Sequence, residues 1–338
     1  MPGGEAMKGK VERVLVTGGA GYVGAVLVPK LLLAGYEVTN LDLYLYGEVL
    51  AGAPRRERLV EVRGDIRDRD TARRAMAGQD AVIHLACISN DPSYELDPDL
   101  GRSINHDGTL LLLEEARRAR VGRFVYASSS SVYGVREEER VTEDLDPRPL
   151  TDYSKYKAIC EGKCLAEASD DFVVTVLRPA TVCGYSPRQR LDVIVNILTN
   201  QAVHLRRIKV LGGDQYRPNL HIEDMTDLYV RLLSEPPERV QRKVWNAGYE
   251  NVTVSDLAES IRDVVGEDVA LDRVPTNDPR SYRIDSERIR AELGFSPRHT
   301  IREAAEDLKR AFGDGRLPDA MTDSRYYNIK RMQEVGLK

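Results

Sequence analysis

Two groups of residues in this 338-residue sequence have the types and spacing to do chemistry. The first is Tyr153-Ser154-Lys155-Tyr156-Lys157, a Tyr-x-x-x-Lys pair. On a helix that spacing sets the phenol and the ammonium on one face, so both reach one site. A tyrosine, with a reference pKa of about 10, is a poor base at neutral pH. A nearby cation stabilises the phenolate and makes it a base for a substrate hydroxyl. Spacing alone is weak evidence, because Tyr326 and Lys330 share it and read as structural. Tyr153 differs in following the fifth apolar run and a serine-rich turn, Ser128-Ser129-Ser130-Ser131-Val132-Tyr133-Gly134.

The second group is TGGAGYVG, Thr17 to Gly24, between a β-branched run and an apolar helical stretch. Gly18, Gly21 and Gly24 permit a tight turn, close approach of backbone N–H groups to a pyrophosphate, and close packing of helix on strand. The helix start adds a partial positive charge facing the phosphates. Tyr22 and Val23 are the other candidate contacts in this loop. Asp42 ends the next strand, where a carboxylate accepts both hydroxyls of a ribose and repels a 2′-phosphate. Leu43 follows it rather than an arginine, so the cofactor expected is NAD, not NADP.

The elements that must position these groups alternate. Strands are expected over 11–17, 37–43, 58–62, 81–85, 123–127 and 172–177, and helices over 23–33, 67–77, 108–119 and 151–168. Connections long enough for crossovers make this a doubly wound parallel sheet of the Rossmann kind. After Arg178, prolines and glycines break the pattern, which suits a smaller mixed α/β substrate lobe. The expected division is a dinucleotide-binding domain over 11–177 with returning segments at about 205–247, and a lobe over 178–204 and 248–338.

Composition narrows the partners. Apolar residues at 42% and charged residues at 30% are ordinary for a globular protein. A net charge of −5 argues against nucleic acid. No apolar run approaches the roughly 20 residues that span a bilayer. Residues 1–10 lack the apolar core of a signal peptide. Cys160 and Cys164 share a helical face, yet no further Cys or His joins them at metal-binding spacing, so no metal is expected. A reduced, cytoplasmic protein fits these features.

The glycine spacing GxxGxxG resembles the extended branch of the short-chain dehydrogenase/reductase superfamily. More exactly, the chain looks like that branch's NAD-dependent nucleotide-sugar epimerase/dehydratase family, over nearly its whole length. Gly64-Asp65-Ile66 and His84-Leu85-Ala86-Cys87 are similar to the family's dinucleotide-lining segments, and Asn105 followed by Gly108-Thr109 to its N-x-x-GT helix start. The resemblance implies that Asp65 and Ile66 approach the adenine, while Leu85, Ala86 and Asn105 serve the cofactor. Asp65 as a cap, His84 as a satisfied core histidine and Asn105 as a turn residue are the structural alternatives. Aligned on Val132-Tyr133-Gly134, the family's catalytic hydroxyl is Ser129, beside Tyr153 as base, with Lys157 also holding the nicotinamide ribose.

The resemblance also speaks to the reaction. Sugar-nucleotide 4,6-dehydratases carry Asp and Glu after the catalytic hydroxyl, to remove a proton from C5 and expel water from C6. Here Ser130 and Ser131 stand there, and neither is an acid–base pair. The expectation is therefore epimerisation of a nucleoside-diphosphate sugar through a transient keto sugar, foremost at C4. A dehydratase or ketoreductase is the alternative, with Cys87, Cys183, Tyr185 and His221 as unranked extra acid–base candidates. A non-catalytic NAD-sensing protein is the reading from another class; loss of Tyr153 or Lys157 would mark it, and both are present. Ser89, Ser130 and Thr181 are expected along the substrate. Arg217 and Arg280 (chosen over Arg283) are expected at its diphosphate, where guanidinium forks suit phosphate oxygens. Family members pair two helices per subunit, so a homodimer is expected through the helices at 108–119 and 151–168.

Overall fold

A computed structural model describes residues 10–276 and 281–338. Six strands follow one another along the first half: β1 (Arg13–Thr17), β2 (Glu37–Asp42), β3 (Leu59–Arg63), β4 (Ala81–His84), β5 (Arg123–Ala127) and β6 (Val173–Pro179). The second half adds β7 (Thr181–Cys183), β8 (Arg207–Leu211), β9 (Tyr216–His221), β10 (Lys243–Ala247), β11 (Glu250–Thr253) and β12 (Ala270–Val274). The main sheet has seven strands in the order β10-β6-β5-β4-β1-β2-β3, and its ladders are all parallel. The chain runs outward from β1 in one direction, then restarts at β4 beside β1 and runs the other way. The crevice beyond the carboxyl ends of β1 and β4 is thus the topological switch point, where ligands of such sheets bind.

Both faces of the sheet are covered, which is why its strands read as unbroken apolar runs. Val14 and Val16 of β1 join a core with Leu27, Leu31 and Trp245, while Leu15 between them joins Val82, Phe124 and Leu112 on the other side. Helices Gly24–Leu33 and Ile222–Ser234 pack together against the first face. Arg69–Met76, Thr109–Arg118 and Asp152–Ala166 cover the second. Outside this unit, β11, β9 and β7 form a three-stranded sheet, and β12 pairs with β8. Helices Ile194–Leu205, Val254–Val265 and Ile301–Gly313 enclose a further core around Val195, Leu257, Ile261 and Ala304.

The alternation read from the sequence is present, with ends shifted by a residue or two, as frayed termini allow. Two features exceed it. Lys243–Ala247 extends the main sheet beside β6 as a seventh strand. Two short helices, Asp91–Glu95 and Pro98–Arg102, precede a π-helical turn, Ser103–Gly108. Each short helix is capped: Asn90 accepts from Ser93 N at 3.0 Å, Asp97 from Leu100 N at 3.0 Å, and a proline lies in each first turn.

The helix Asp152–Ala166 starts on a capping box between Thr151 and Ser154. Further along, Glu161 is buried and pairs with buried Arg178 of β6 at 2.6 Å. Ser128 Oγ donates to Glu161, and Arg178 donates to Tyr133 Oη at 2.9 Å. Breaking one side of a buried pair strands a desolvated charge, at a cost of about 3–5 kcal/mol. Arg178→Met should therefore lower unfolding free energy by about that much in urea titrations. The double variant Glu161→Met/Arg178→Met should regain a large part of it. Equal instability of the single and double variants would show that the pair's charges are not the cause.

Candidate active site

The loop after β1 is shaped by contacts that leave no room for side chains. Gly18 has φ +78°, and a Cβ there would lie 2.7 Å from Ala86 N. A Cβ on Gly24 would lie 2.4 Å from both Gly18 O and Gly19 Cα. The loop can thus lie flat in the switch-point crevice, with the helix beginning at Gly24 pointing its N-terminus into it. Asn40 and Asp42 of β2 anchor the turn, accepting from Gly19 N at 2.8 Å and Ala20 N at 2.9 Å. Burial pushes the Asp42 carboxyl above its ordinary range, opposed by the N–H groups of Tyr44 and Ala20.

This crevice opens into a cavity of about 480 Å³. The cofactor residues Gly18, Gly21, Tyr22, Val23, Gly24, Asp42, Asp65, Ile66, Leu85 and Ala86 line it. So do Ser129, Tyr153 and Lys157, and of the substrate residues Ser89, Ser130, Thr181 and Arg217. Arg280 lies outside the described residues. Arg283 stacks its guanidinium 4.6 Å over the Tyr216 ring. Asn105 sits behind the cavity wall rather than on it. Its amide donates to Ile88 O and its carbonyl accepts from Ile88 N, both at 2.8 Å, so it pins the loop that carries Ser89. His84 bridges Thr17 Oγ1 at 2.7 Å and Thr109 Oγ1 at 2.8 Å, as a satisfied core histidine does. Asp65 carries an ion pair to Arg67 at 2.7 Å.

At the other end of the cavity the helix Asp152–Ala166 presents Tyr153 and Lys157. Lys157 Nζ donates to Ala127 O at 2.7 Å and lies 6.0 Å from the centroid of the Tyr153 ring. Burial pushes the Tyr153 phenol above its ordinary value, with Cys87 and Asp91 adding to the rise and Ser129 and Arg190 opposing it. An arriving cation beside the ring would act in the same sense as Arg190. Ser129 also caps the following turn, accepting from Ser131 N at 3.1 Å, with its Oγ 2.8 Å from Ser131 Oγ. Ser130 Oγ lies 3.2 Å from Tyr282 Oη.

Several lining residues were not singled out in the sequence. Asp91 brings a buried carboxylate that accepts from Thr151 Oγ1 at 2.5 Å. Its Asn-Asp-Pro context was a helix-start signal, but nothing placed that helix over the site. Arg188 and Arg190 enter from the segment before Ile194–Leu205, where prolines obscure periodicity. Of the extra acid–base candidates, Cys87 lines the cavity. Cys183 is buried, its thiol pushed up by burial, and its Sγ lies 3.6 Å from Leu220 O. His221 faces His299 at 5.0 Å, and Tyr185 lies beneath Arg316.

The geometry fits a dinucleotide: a glycine turn that a Cβ would fill, a carboxylate at the β2 end, and a phenol–ammonium pair across the cavity. Comparison with known proteins agrees. Residues 14–248 match the model of the NAD dependent epimerase/dehydratase family. The chain is 32% identical over 336 residues to the dTDP-glucose 4,6-dehydratase of Streptomyces niveus, covering 92% of this chain and 98% of that one. It is 28% identical over 313 residues to the UDP-glucose 4-epimerase of Lactobacillus helveticus, covering 85% and 92%. The solved structure of MoeE5 in complex with UDP-glucose and NAD superposes with a TM-score of 0.78 at 28% identity, covering 90% and 99%.

Two outcomes follow from this packing. Gly24→Ala should abolish NAD binding measured by calorimetry, because its Cβ drives the loop off Gly18 O; undiminished affinity would refute the close fit. The second concerns His84, whose pKa burial pushes down to about 3 from an unfolded value of about 6.5. The unfolded chain then binds the extra proton between those values. The histidine's contribution to stability is complete above about pH 6.5 and is lost as pH falls towards 3, with a slope of at most ~1.4 kcal/mol per pH unit. Urea titrations from pH 7 to 4 should show a shallower decline for His84→Asn than for the wild type.

Proposed function

We propose that this chain, which belongs to the NAD-dependent epimerase/dehydratase family, inverts a hydroxyl-bearing carbon of a nucleoside-diphosphate sugar, C4 foremost, through a transient keto sugar. NAD is its cofactor and would supply a hydride acceptor that is restored within one turnover, held by the glycine loop and Asp42. The protein's own part is proton handling and orientation. Tyr153, as phenolate, takes the proton of the sugar hydroxyl and later gives it back to the keto oxygen. Ser129 holds that oxygen in place, and Lys157 stabilises the phenolate by charge. Ser89, Thr181 and Arg217, which line the cavity, would meet the sugar nucleotide, with the Arg217 guanidinium suited to its diphosphate.

The observation that carries epimerisation over dehydration is the turn after Ser129. Ser130 and Ser131 engage Tyr282 and Ser129 through hydroxyls only, so this turn offers no acid–base pair to remove a C5 proton and expel water. Inversion needs no such pair. Asp91 favours a second reading, dehydration, because it sets a buried carboxylate on the cavity wall.

Purified protein incubated with UDP-, dTDP-, GDP- and CDP-sugars tests the choice by mass spectrometry and NMR. A product of unchanged mass with an inverted centre is expected, with no net change of NAD. Tyr153→Phe should reduce turnover by at least about a hundredfold, the usual scale of a lost acid–base group, and leave NAD bound. A product lighter by one water, lost again in Asp91→Asn, would establish dehydration instead.

We further infer a cytoplasmic homodimer. The four cysteines are free thiols, and Ile159 is exposed on the helix Asp152–Ala166, in keeping with a reduced compartment and a helix-mediated contact. Among the described residues no helix is long and apolar enough to cross a membrane. Sedimentation at micromolar concentration should give twice the chain mass, and Ile159→Arg should halve it.

A further inference from the structure

Two arginines on the lobe side of the cavity have no part in the reaction described above. Arg188 and Arg190 are 4% and 8% exposed, and both line the cavity, on the segment that Ser186 ties to Tyr22 of the glycine loop. Their partners leave each guanidinium incomplete. Arg188 stacks 3.5 Å over the Tyr46 ring and donates through one terminal nitrogen to Asn328 Oδ1 at 2.6 Å, while its Nε is buried without an acceptor. Arg190 pairs with Asp192 at 2.6 Å and donates to Ser89 Oγ at 2.9 Å, leaving its other terminal nitrogen buried without an acceptor. A desolvated donor without a partner is costly, and so is a pair of buried like charges. Asp192 is ion-paired with Arg190, so an anion between the guanidiniums and the glycine loop would complete the couple.

Position identifies that anion. Arg188 stacks on Tyr46, four residues beyond Asp42 at the end of β2, while Arg190 holds Ser89, whose loop lines the same cavity as Tyr153. A dinucleotide stretched between Asp42 and Tyr153 has its pyrophosphate midway, against the helix that starts at Gly24. The glycine loop would meet one side of that group with backbone N–H donors. We propose that Arg188 and Arg190 grip the other side of the NAD pyrophosphate from the substrate lobe, so that the cofactor is held between the two parts of the molecule. Guanidinium forks match phosphate oxygens bidentately. Asn328 aligns this grip: it accepts from Arg188, donates to Ser89 Oγ at 3.1 Å, and accepts from Tyr46 Oη at 3.1 Å. Such a clamp keeps NAD in place from one turnover to the next, as a reaction that regenerates its own cofactor requires.

The test removes each charge while keeping length, in Arg188→Met and Arg190→Met, with circular dichroism to confirm folding. Bound NAD is measured after gel filtration and acid release, and calorimetry gives affinities of cofactor-free protein for NAD, ADP and adenosine. In each variant NAD and ADP affinity should fall by about tenfold or more, the scale of a lost charge-assisted hydrogen bond, with adenosine affinity unchanged. Arg188→Lys and Arg190→Lys should restore part of the loss. The proposal is overturned if NAD and adenosine weaken together, which would make the arginines wall residues of the adenosine end. It is equally overturned if NAD binding is unchanged and only the KM for the nucleotide sugar rises, which would assign them to the substrate. These readouts do not depend on which sugar is turned over or on whether water is lost.

Discussion

The buried pair between Glu161 and Arg178 is the interaction on which the geometry of the site depends. Two charges removed from water are tolerable only when every remaining donor and acceptor is satisfied. Here Ser128 and Tyr133 complete the set, and Tyr133 passes the network on to Asn246 of β10 at 2.8 Å. The pair therefore fixes three things to one another: the helix Asp152–Ala166, the end of β6 and the serine turn. Tyr153, Lys157 and Glu161 recur at four-residue spacing on that helix, on one stripe. Two of them face the reacting end, and the third anchors the stripe. Ser129, next to Ser128, is set against Tyr153 by the same constraint.

The second constraint joins the two parts of the molecule. Tyr22, inside the glycine loop, donates to Gly184 O at 2.7 Å and accepts from Asn196 Nδ2 at 3.0 Å, while its own carbonyl accepts from Ser186 Oγ at 2.8 Å. A loop formed to approach phosphates is thereby tied to the segment that carries Arg188 and Arg190.

Electrostatics then decides what the site can do. A phenol buried beside Cys87 and Asp91 stays protonated unless positive charge faces it. Lys157 lies 6.0 Å from the ring centroid, and an oxidised nicotinamide ring bound beside the phenol would add charge of the same sign. The serine pair after Ser129 presents only hydroxyls, held by Tyr282 and Ser129, and no carboxylate.

Periodicity and glycine spacing by themselves determined the alternating elements, the dinucleotide turn and the Tyr153–Lys157 face. Each is a local property: β-branched runs buried on both faces, a turn that excludes Cβ atoms, and a helical repeat of four. The tertiary structure alone decided what depends on distant segments meeting. The seventh strand forms because Lys243–Ala247 finds the open edge of β6. His84 and Asn105 became a core bridge and a loop pin because Thr17, Thr109 and Ile88 surround them. Arg188 and Arg190 carried no periodic or motif signal, and the helix-start signal at Asp91 did not say where that helix lies. All three reach the cavity through a capped short helix and an irregular segment, whose paths are set by packing rather than by any repeat in the sequence.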